Sequence, residues 1–288
     1  MADDIVYLNG ELLAMQSACV SVMDRGFLFG DGVYEVIPVF GNRLLRVDEH
    51  LERLQNSLRK VAIDNPHSAQ QWKQLFARLL EANPGEDRAL YLQITRGVHQ
   101  RRDLAVAQPA TPTVFMMVLH IDPVAVASLS QGISAITVED FRWRHCDIKA
   151  ISLIANVMLK RQALDAGVAD AILIRDGKVT EGTASNVFIV REGVIVTPPK
   201  SECLLPGITR DLVIDIARDN RLAHQQRAID ETELAQADEI WLTSSTREIA
   251  PVVELNGQPV SGGTAGPLWH TVIELYQQCK QALRQHER

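Results

Sequence analysis

Thr180-Glu181-Gly182-Thr183-Ala184-Ser185-Asn186-Val187-Phe188 is the stretch around which the rest of the chain is organised. It places one carboxylate among small and hydroxyl residues and then runs into an apolar segment. Upstream stands a lysine, Lys149, and downstream a second short run, Leu205-Pro206-Gly207-Ile208-Thr209-Arg210. Taken in order, these pieces supply an amine, a carboxylate and an anion-binding turn. That set suits a ligand with an aldehyde, a basic ring nitrogen and a phosphate.

The bulk properties are those of a globular protein with ample material for a core: 288 residues, 46% hydrophobic and 23% charged. A formal net charge of −7 argues against a broad nucleic-acid-binding surface. No apolar run approaches the roughly 20 residues a membrane helix needs. The acidic start, Met1-Ala2-Asp3-Asp4, lacks the basic-then-apolar build of a signal peptide. Cys19, Cys146, Cys203 and Cys279 lie far apart without CxxC spacing. Neither a metal site nor a disulfide framework is expected, and a reducing cytoplasm is the default compartment.

Around Glu181, strands are expected at Ala169 to Ile174, Asn186 to Val190 and Val194 to Thr197, with a turn at Arg175-Asp176-Gly177-Lys178. Helices are expected from Ser152 to Ala166, from Thr209 to about Asp219 and from Leu268 to about Arg284. Strands at Gly132 to Val138 and Glu239 to Thr243 complete this half. Asp122-Pro123 is the best domain boundary, because proline disfavours helix in the residue before it. The preceding half opens with a hairpin, Ile5 to Leu8, Asn9-Gly10, Glu11 to Leu13. Gly32 to Phe40 and Arg43 to Leu45 predict a second hairpin. The glycine-rich stretch Asp24 to Gly32 before it predicts an ordered loop. Asp48 is placed to cap a helix from Glu49 to about Ala62, and Ser68 to cap the next. Ala89 to Thr95 and Thr113 to His120 predict strands around an arginine-rich loop, Arg96 to Pro112. The expectation is an α+β fold of two domains, 1–122 and 123–288, with mixed sheets, flanking helices, and Lys149 in the larger, second domain.

Each chemical candidate has an ordinary reading beside the functional one. Most lysines are solvated surface groups. Lys149, however, sits in an apolar and aromatic neighbourhood from Trp143 to Leu153, where an amine can be desolvated enough to react. Glu181 is either a turn carboxylate or the group that keeps a pyridine nitrogen protonated. Asn186 could orient it. Gly207-Ile208-Thr209 opens a helix, whose first N–H groups either receive a plain cap or bind a phosphate. Thr243-Ser244-Ser245-Thr246 offers a second hydroxyl cluster. Arg53, placed on the outward side of its helix, is either solvated or the phosphate's cation. The cofactor these residues suit together is pyridoxal 5'-phosphate.

Three separated blocks carry a resemblance: Glu181-x-Thr-x-x-Asn186-Val-Phe188, then Ile195-x-Thr197, then Leu205-x-Gly207-Ile208-x-Arg210. With Asp24-Arg25-Gly26, Phe29 to Val36, Glu49-His50-x-x-Arg53-Leu54 and Val138 to Lys149, the chain resembles the class IV aminotransferases, the fold-type IV pyridoxal-phosphate enzymes. Within that class it looks most like the D-amino-acid aminotransferases. The resemblance implies Lys149 as the Schiff-base lysine and Glu181 as the partner of the ring nitrogen. It implies Arg53, Ile208, Thr209, Ser244 and Ser245 around the phosphate and Leu205 against the ring. Tyr34 would line the substrate pocket at the domain interface. It further implies a homodimer that uses D-amino acids such as D-alanine or D-glutamate with a 2-oxo acid acceptor.

One departure stands out. The best-known members hold the substrate carboxylate with an Arg-x-His pair after Thr-Arg-Gly. Here Thr95-Arg96-Gly97 leads to Arg101 and Arg102, with Asp103 where the histidine belongs. An aspartate repels a carboxylate. Arg102, His99 or Arg247 therefore stand beside Arg101 as candidate clamps. An L-branched-chain or (R)-amine transaminase, and an aminodeoxychorismate-type lyase, are the alternatives within the fold. A binding protein that kept the scaffold is the alternative outside catalysis.

Overall fold

The computed structural model describes residues 4–105, 111–121 and 126–285. The chain forms two compact units, Met1–Asp122 with Ile148–Leu153, and Pro123–Asp147 with Ile154–Arg288. The sequence-predicted boundary Asp122-Pro123, residues 1–3 and residues 106–110 of the arginine-rich loop lie outside the described residues.

The first unit contains β1 (Ile5–Leu8), β2 (Glu11–Ala14), α1 (Arg25–Phe29), β3 (Gly32–Phe40), β4 (Arg43–Leu44), α2 (Val47–Lys60), α3 (Ala69–Ala82), β5 (Asp87–Thr95) and β6 (Thr113–His120). Its six strands run in the order β2-β1-β6-β5-β3-β4, and every pairing is antiparallel. Leu54 and Leu58 of α2 and Trp72, Phe76 and Leu79 of α3 bury against Ile37, Leu90, Leu92 and Met116 of the sheet. Their spacing of three and four keeps them on one stripe of each helix. Ser68 caps α3 in a full capping box with Gln71. Asp48 does not cap α2. The N-cap position is Arg46, in the left-handed region at φ 51° and without a side-chain cap, and Asp48 sits in the first turn, where its charge complements the helix dipole.

Asp24 to Gly32, expected as a loop, contains α1. Asp24 Oδ1 accepts from Gly26 N at 2.7 Å to start it, and Gly30 ends it at φ 65°. Gly26 is needed for space, because a Cβ there would meet Thr95 Cγ2 at 2.3 Å.

The second unit contains α4 (Val126–Leu129), β7 (Ile133–Glu139), α5 (Ile154–Asp165), β8 (Asp170–Arg175), β9 (Lys178–Gly182), β10 (Asn186–Arg191), β11 (Val194–Thr197), α6 (Ile208–Asp219), β12 (His224–Gln226), α7 (Glu231–Leu234), β13 (Glu239–Ser244), β14 (Glu248–Leu255), β15 (Gln258–Pro259) and α8 (Pro267–Gln285). The strands form one mixed sheet in the order β12-β11-β10-β13-β14-β7-β8-β9, with β15 on β14. β11–β12, β14–β7 and β7–β8 are parallel and the rest antiparallel. Ile172, Val187, Ile189, Ile240, Leu242 and Val252 form its core, and Leu159 and Ala163 of α5 pack on Ala171 and Leu173.

Lys149 does not travel with the second unit, where the sequence reading put it. Ile148–Leu153 adds to the free edge of β3 in the first unit: Tyr34 N donates to Lys149 O at 2.9 Å and Ile151 N to Gly32 O at 3.1 Å. That is why α5 starts at Ile154 rather than Ser152. Backbone groups spent on a strand edge are not free to begin a helix.

Candidate active site

In the first unit, the edge pairing fixes Lys149 from both sides. Its N–H donates to Ser57 Oγ of α2 at 3.2 Å and its carbonyl accepts from Tyr34. The half-buried side chain extends over the Tyr34 ring, with Nζ 4.2 Å from the centroid. The ring face attracts the lysine head electrostatically and fixes where it lies.

Behind this segment lies a charged cluster inside the α2–β3 layer. Glu35 is 1% exposed. It accepts from Arg53 Nε at 2.8 Å and Nη2 at 2.7 Å, and its Oε2 is 2.7 Å from His50 Nδ1. Burial opposes the Glu35 charge, but Arg53 and His50 hold its pKa far below the usual range. Burial lowers the pKa of His50, so that the ring is neutral near pH 7. Arg53 is thus turned inward, correcting its sequence-predicted outward placement. The spacing of His50 and Arg53, three apart on one helix face, delivers both to a single carboxylate.

The loop after β5 carries the candidate substrate residues. Arg101 and Arg102 are exposed and His99 is half-buried. Arg102 lies over the Phe29 ring at 5.1 Å, and Arg25 lies over the same ring at 4.8 Å. Arg25 also donates to the carbonyls of Asp103 and Leu104, at 2.5 and 3.2 Å. Asp31 receives both Arg25, at 2.7 Å, and Arg96, at 2.8 Å. Burial works against the Asp31 charge, but these two arginines keep its pKa below the usual value. Asp103 turns its own carboxylate back on the loop, accepting from Ala105 N at 3.0 Å.

In the second unit, Glu181 lies in a strand, not in a turn, and is 5% exposed. Its Oε1 accepts from Arg142 Nη1, and its Oε2 accepts from Leu205 N at 2.9 Å and more distantly from Asn186 Nδ2 at 3.4 Å. Asn186 Nδ2 also donates to Leu205 O at 2.8 Å. Arg142 donates through Nε and Nη2 to both oxygens of buried Asp140, at 2.8 Å each. Asp140 further receives Thr180 Oγ1 at 2.8 Å and Arg175 at 3.0 Å. Burial lifts the Glu181 pKa above the usual carboxylate range, against the pull of Arg142. Burial likewise opposes the Arg142 charge, but Asp140 and Glu181 hold its pKa well above the ordinary value. The result is a carboxylate of high proton affinity, fixed at both oxygens.

Leu205 leads straight to the N-terminus of α6. Gly207 is the N-cap and supplies no side-chain cap. A Cβ at that position would meet Asn186 Oδ1 at 1.9 Å, so only glycine lets the helix start this close to the Glu181 group. Ile208 and Thr209 are buried in the first turn. Asn186 pairs with Thr243 across β10 and β13, which brings Ser244 and Ser245 to the same end of the sheet. Thr243 Oγ1 and Ser185 Oγ are buried without a hydrogen-bond partner among the described residues. Arg247, the other candidate cation, donates to buried Asp170 Oδ2 at 2.8 Å.

The structure therefore gathers Glu181, Leu205, Ile208, Thr209, Ser244 and Ser245 in one unit, and Lys149, Tyr34, Arg53, His99, Arg101 and Arg102 in the other. The residue set fits a phosphorylated pyridine aldehyde: orphaned buried hydroxyls, an uncapped helix N-terminus and a carboxylate stand together. Sequence reading assigned no role to Arg142, Asp140, Thr180, Glu35 or His50. Asp140-x-Arg142 and Glu49-His50-x-x-Arg53 were visible as motifs, but nothing in the spacing points to partners 39 and 15 residues away.

Two α+β units, one with a lysine clamped on a strand edge and one with a buried, arginine-held carboxylate beside a helix N-terminus, define the scaffold of amino-group transfer enzymes of class IV. The chain matches the Amino-transferase class IV family over residues 32–255 and belongs to it. It is 41% identical over 267 residues to a D-alanine aminotransferase of Bacillus licheniformis, covering 93% of this chain and 94% of the relative. It is 36% identical over 269 residues to the D-alanine aminotransferase of Staphylococcus aureus (strain COL), covering 93% and 95%. The fold is that of the branched-chain aminotransferase from Thermoproteus uzoniensis solved with norvaline, at a TM-score of 0.86, 27% identity, and coverage of 97% of this chain and 95% of that one.

Proposed function

We propose that this enzyme transfers the amino group of D-amino acids, D-alanine and D-glutamate among them, to a 2-oxo acid, with pyridoxal 5'-phosphate as cofactor. The observation that carries the substrate class is the 41% identity to a D-alanine aminotransferase across nearly the whole of both chains. The cofactor, when bound, supplies an electron-accepting ring for the pair released at the substrate Cα.

The chain's own residues do the rest. Lys149 Nζ would hold the cofactor covalently, and its free amine would serve as general base and acid for the proton at the substrate Cα. Glu181, fixed at both oxygens by Arg142 and the Leu205 N–H, would stand against the ring nitrogen and favour its protonated form. Asp140 and Thr180 keep Arg142 in place, and Arg142 and Leu205 N–H keep Glu181 from rotating. The α6 N-terminus, Thr209, Ser244 and Ser245 bind the phosphate, with Arg53 as its cation and Leu205 against the ring. Arg101 takes the substrate carboxylate, assisted by Arg102 or His99, and Tyr34 lines the pocket.

The working form is a homodimer. α5 supports this: Ile154, Val157 and Met158 are 72%, 61% and 52% exposed on one face, an apolar stripe that a second copy would cover. No helix among the described residues is long and apolar enough to cross a membrane. With four cysteines set far apart and without CxxC spacing, the reducing cytoplasm is the expected compartment.

The test is a donor screen with both enantiomers of alanine, glutamate and leucine and with (R)-1-phenylethylamine, against pyruvate and 2-oxoglutarate. Turnover of D-alanine or D-glutamate that requires an added 2-oxo acid supports the reading. Turnover confined to L-amino acids or amines, or pyruvate release without an acceptor, overturns it.

A further inference from the structure

Two of the four cysteines, far apart in sequence, stand side by side next to the Glu181 group. Cys146 N–H donates to the carbonyl of Glu202, the residue before Cys203, at 2.8 Å. With standard backbone dimensions, that bond puts the two Cα atoms within about 7 Å of each other. Disulfides span Cα separations of roughly 4.4–6.8 Å. Cys146 Sγ donates to Trp143 O at 3.1 Å, and Arg175 Nη2 reaches that same carbonyl at 3.5 Å. Both sulfurs act on the Arg175 charge: burial opposes it, but Asp140 and, after it, Cys203 and Cys146 hold its pKa above the ordinary value.

The two thiols differ in access. Cys203 is half-exposed, flanked by exposed Ser201 and Glu202, whereas Cys146 is buried. Burial raises the Cys146 thiol pKa, which makes it a poor first nucleophile and leaves it suited to a second, resolving role. The segments that carry them hold the two oxygens of Glu181. Arg142, four residues before Cys146, binds Oε1. Leu205, two residues after Cys203, binds Oε2.

We propose that Cys146 and Cys203 are a redox modification site, whose reversible disulfide joins the two segments that clamp Glu181 and lowers turnover. The oxidant is a low-molecular-weight disulfide. The Cys203 thiolate attacks it, releasing one small thiol and leaving a mixed disulfide. Cys146, giving up its proton, then displaces the second small thiol and forms the Cys146–Cys203 bond. The protein loses two protons and two electrons, and the small disulfide becomes two thiols. To close the bond, Cys146 Sγ must leave Trp143 O and the Cys203 loop must shift, which pulls on the Leu205 N–H···Oε2 contact. Loss of one charge-assisted hydrogen bond corresponds to a fall in rate on the order of tenfold. This coupling to turnover rests on the role proposed for Glu181; the linkage itself does not.

The test treats the cofactor-loaded enzyme with oxidised glutathione under native conditions, blocks remaining thiols by alkylation, and identifies linked peptides by mass spectrometry. The expected product is a peptide pair joined through Cys146 and Cys203, absent in Cys203→Ser and Cys146→Ser, and cleaved by dithiothreitol. Recovery of Cys203 as a stable glutathione adduct, or of both cysteines as free thiols, overturns the site. Turnover should fall on the order of tenfold in wild type, return with dithiothreitol, and stay constant in Cys203→Ser. A quantitative linkage that leaves turnover unchanged overturns the coupling to Glu181. Because the linkage is read by mass, it stands or falls separately from the choice of amino donor.

Discussion

Replacing Arg142 with methionine tests the physical basis of the Glu181 site most directly. Arg142 is 8% exposed and joins two carboxylates, Asp140 at 5% and Glu181 at 5%. Methionine matches much of its length and none of its charge. Asp140 keeps Arg175 at 3.0 Å and Thr180 at 2.8 Å, whereas Glu181 keeps, among the described residues, the Leu205 N–H and the distant Asn186 amide. Removing one member of a buried ion pair costs about 3–5 kcal/mol, because the charge left behind is neither hydrated nor paired. For a unit of this size that corresponds to a fall in melting temperature of roughly 6–20 °C. Calorimetry or urea unfolding near pH 7.5 reads it.

The acid side sharpens the test. Asp140 has its folded pKa held low by Arg142, Thr180 and Arg175 despite burial, so its contribution is present above its ordinary pKa of 3.8 and is lost as pH falls through the lower, folded value. In Arg142→Met that acid-dependent loss should shrink. Arg142→Lys, which keeps the charge but not the fork, should fall between the two. A destabilisation below about 1 kcal/mol for Arg142→Met would show that the cluster is hydrated in solution and that Glu181 is not fixed by Arg142.

Lys149→Ala should abolish the absorbance of covalently held cofactor and nearly all turnover. Borohydride reduction should label Lys149 in the wild type, and label on another lysine would remove it from the mechanism. Glu35→Gln leaves the Arg53 charge buried without its carboxylate and should cost about 3–5 kcal/mol. Because the Glu35 folded pKa lies far below its ordinary 4.5, the wild type should lose this stability only as pH drops below 4.5. The variant should lack that phase in a pH series of denaturation midpoints. Arg101→Ala should lower kcat/KM for D-alanine by about 2–5 kcal/mol of transition-state stabilisation if the contact is desolvated. Asp103→His should lower KM, and unchanged kinetics in both would move the carboxylate clamp to Arg102, His99 or Arg247.

Much of the molecule was determined by the sequence alone, wherever the signal was local. The Ser68 capping box, the Trp72-to-Leu80 stripe and the Asn9-Gly10 hairpin act over a few residues, so spacing and turn chemistry sufficed. The order Lys149, Glu181, Gly207-Ile208-Thr209 likewise offered a candidate amine, carboxylate and helix N-terminus, because each is tied to a short motif, and the helix does start there. Tertiary structure decided what depends on partners far along the chain. Polar β9 did not read as a strand, yet it is buried because its groups and those just after it bond to Asp140, Asp170 and Arg142. Arg53 did not read as buried, because an arginine looks solvated until Glu35 arrives from another element to pair with it. Lys149 followed the edge of β3 rather than its sequence neighbours, since an open strand edge holds backbone groups that a passing segment can satisfy. The closeness of Cys146 and Cys203 is of the same kind: one backbone hydrogen bond between two loops brings together thiols that no spacing rule connects.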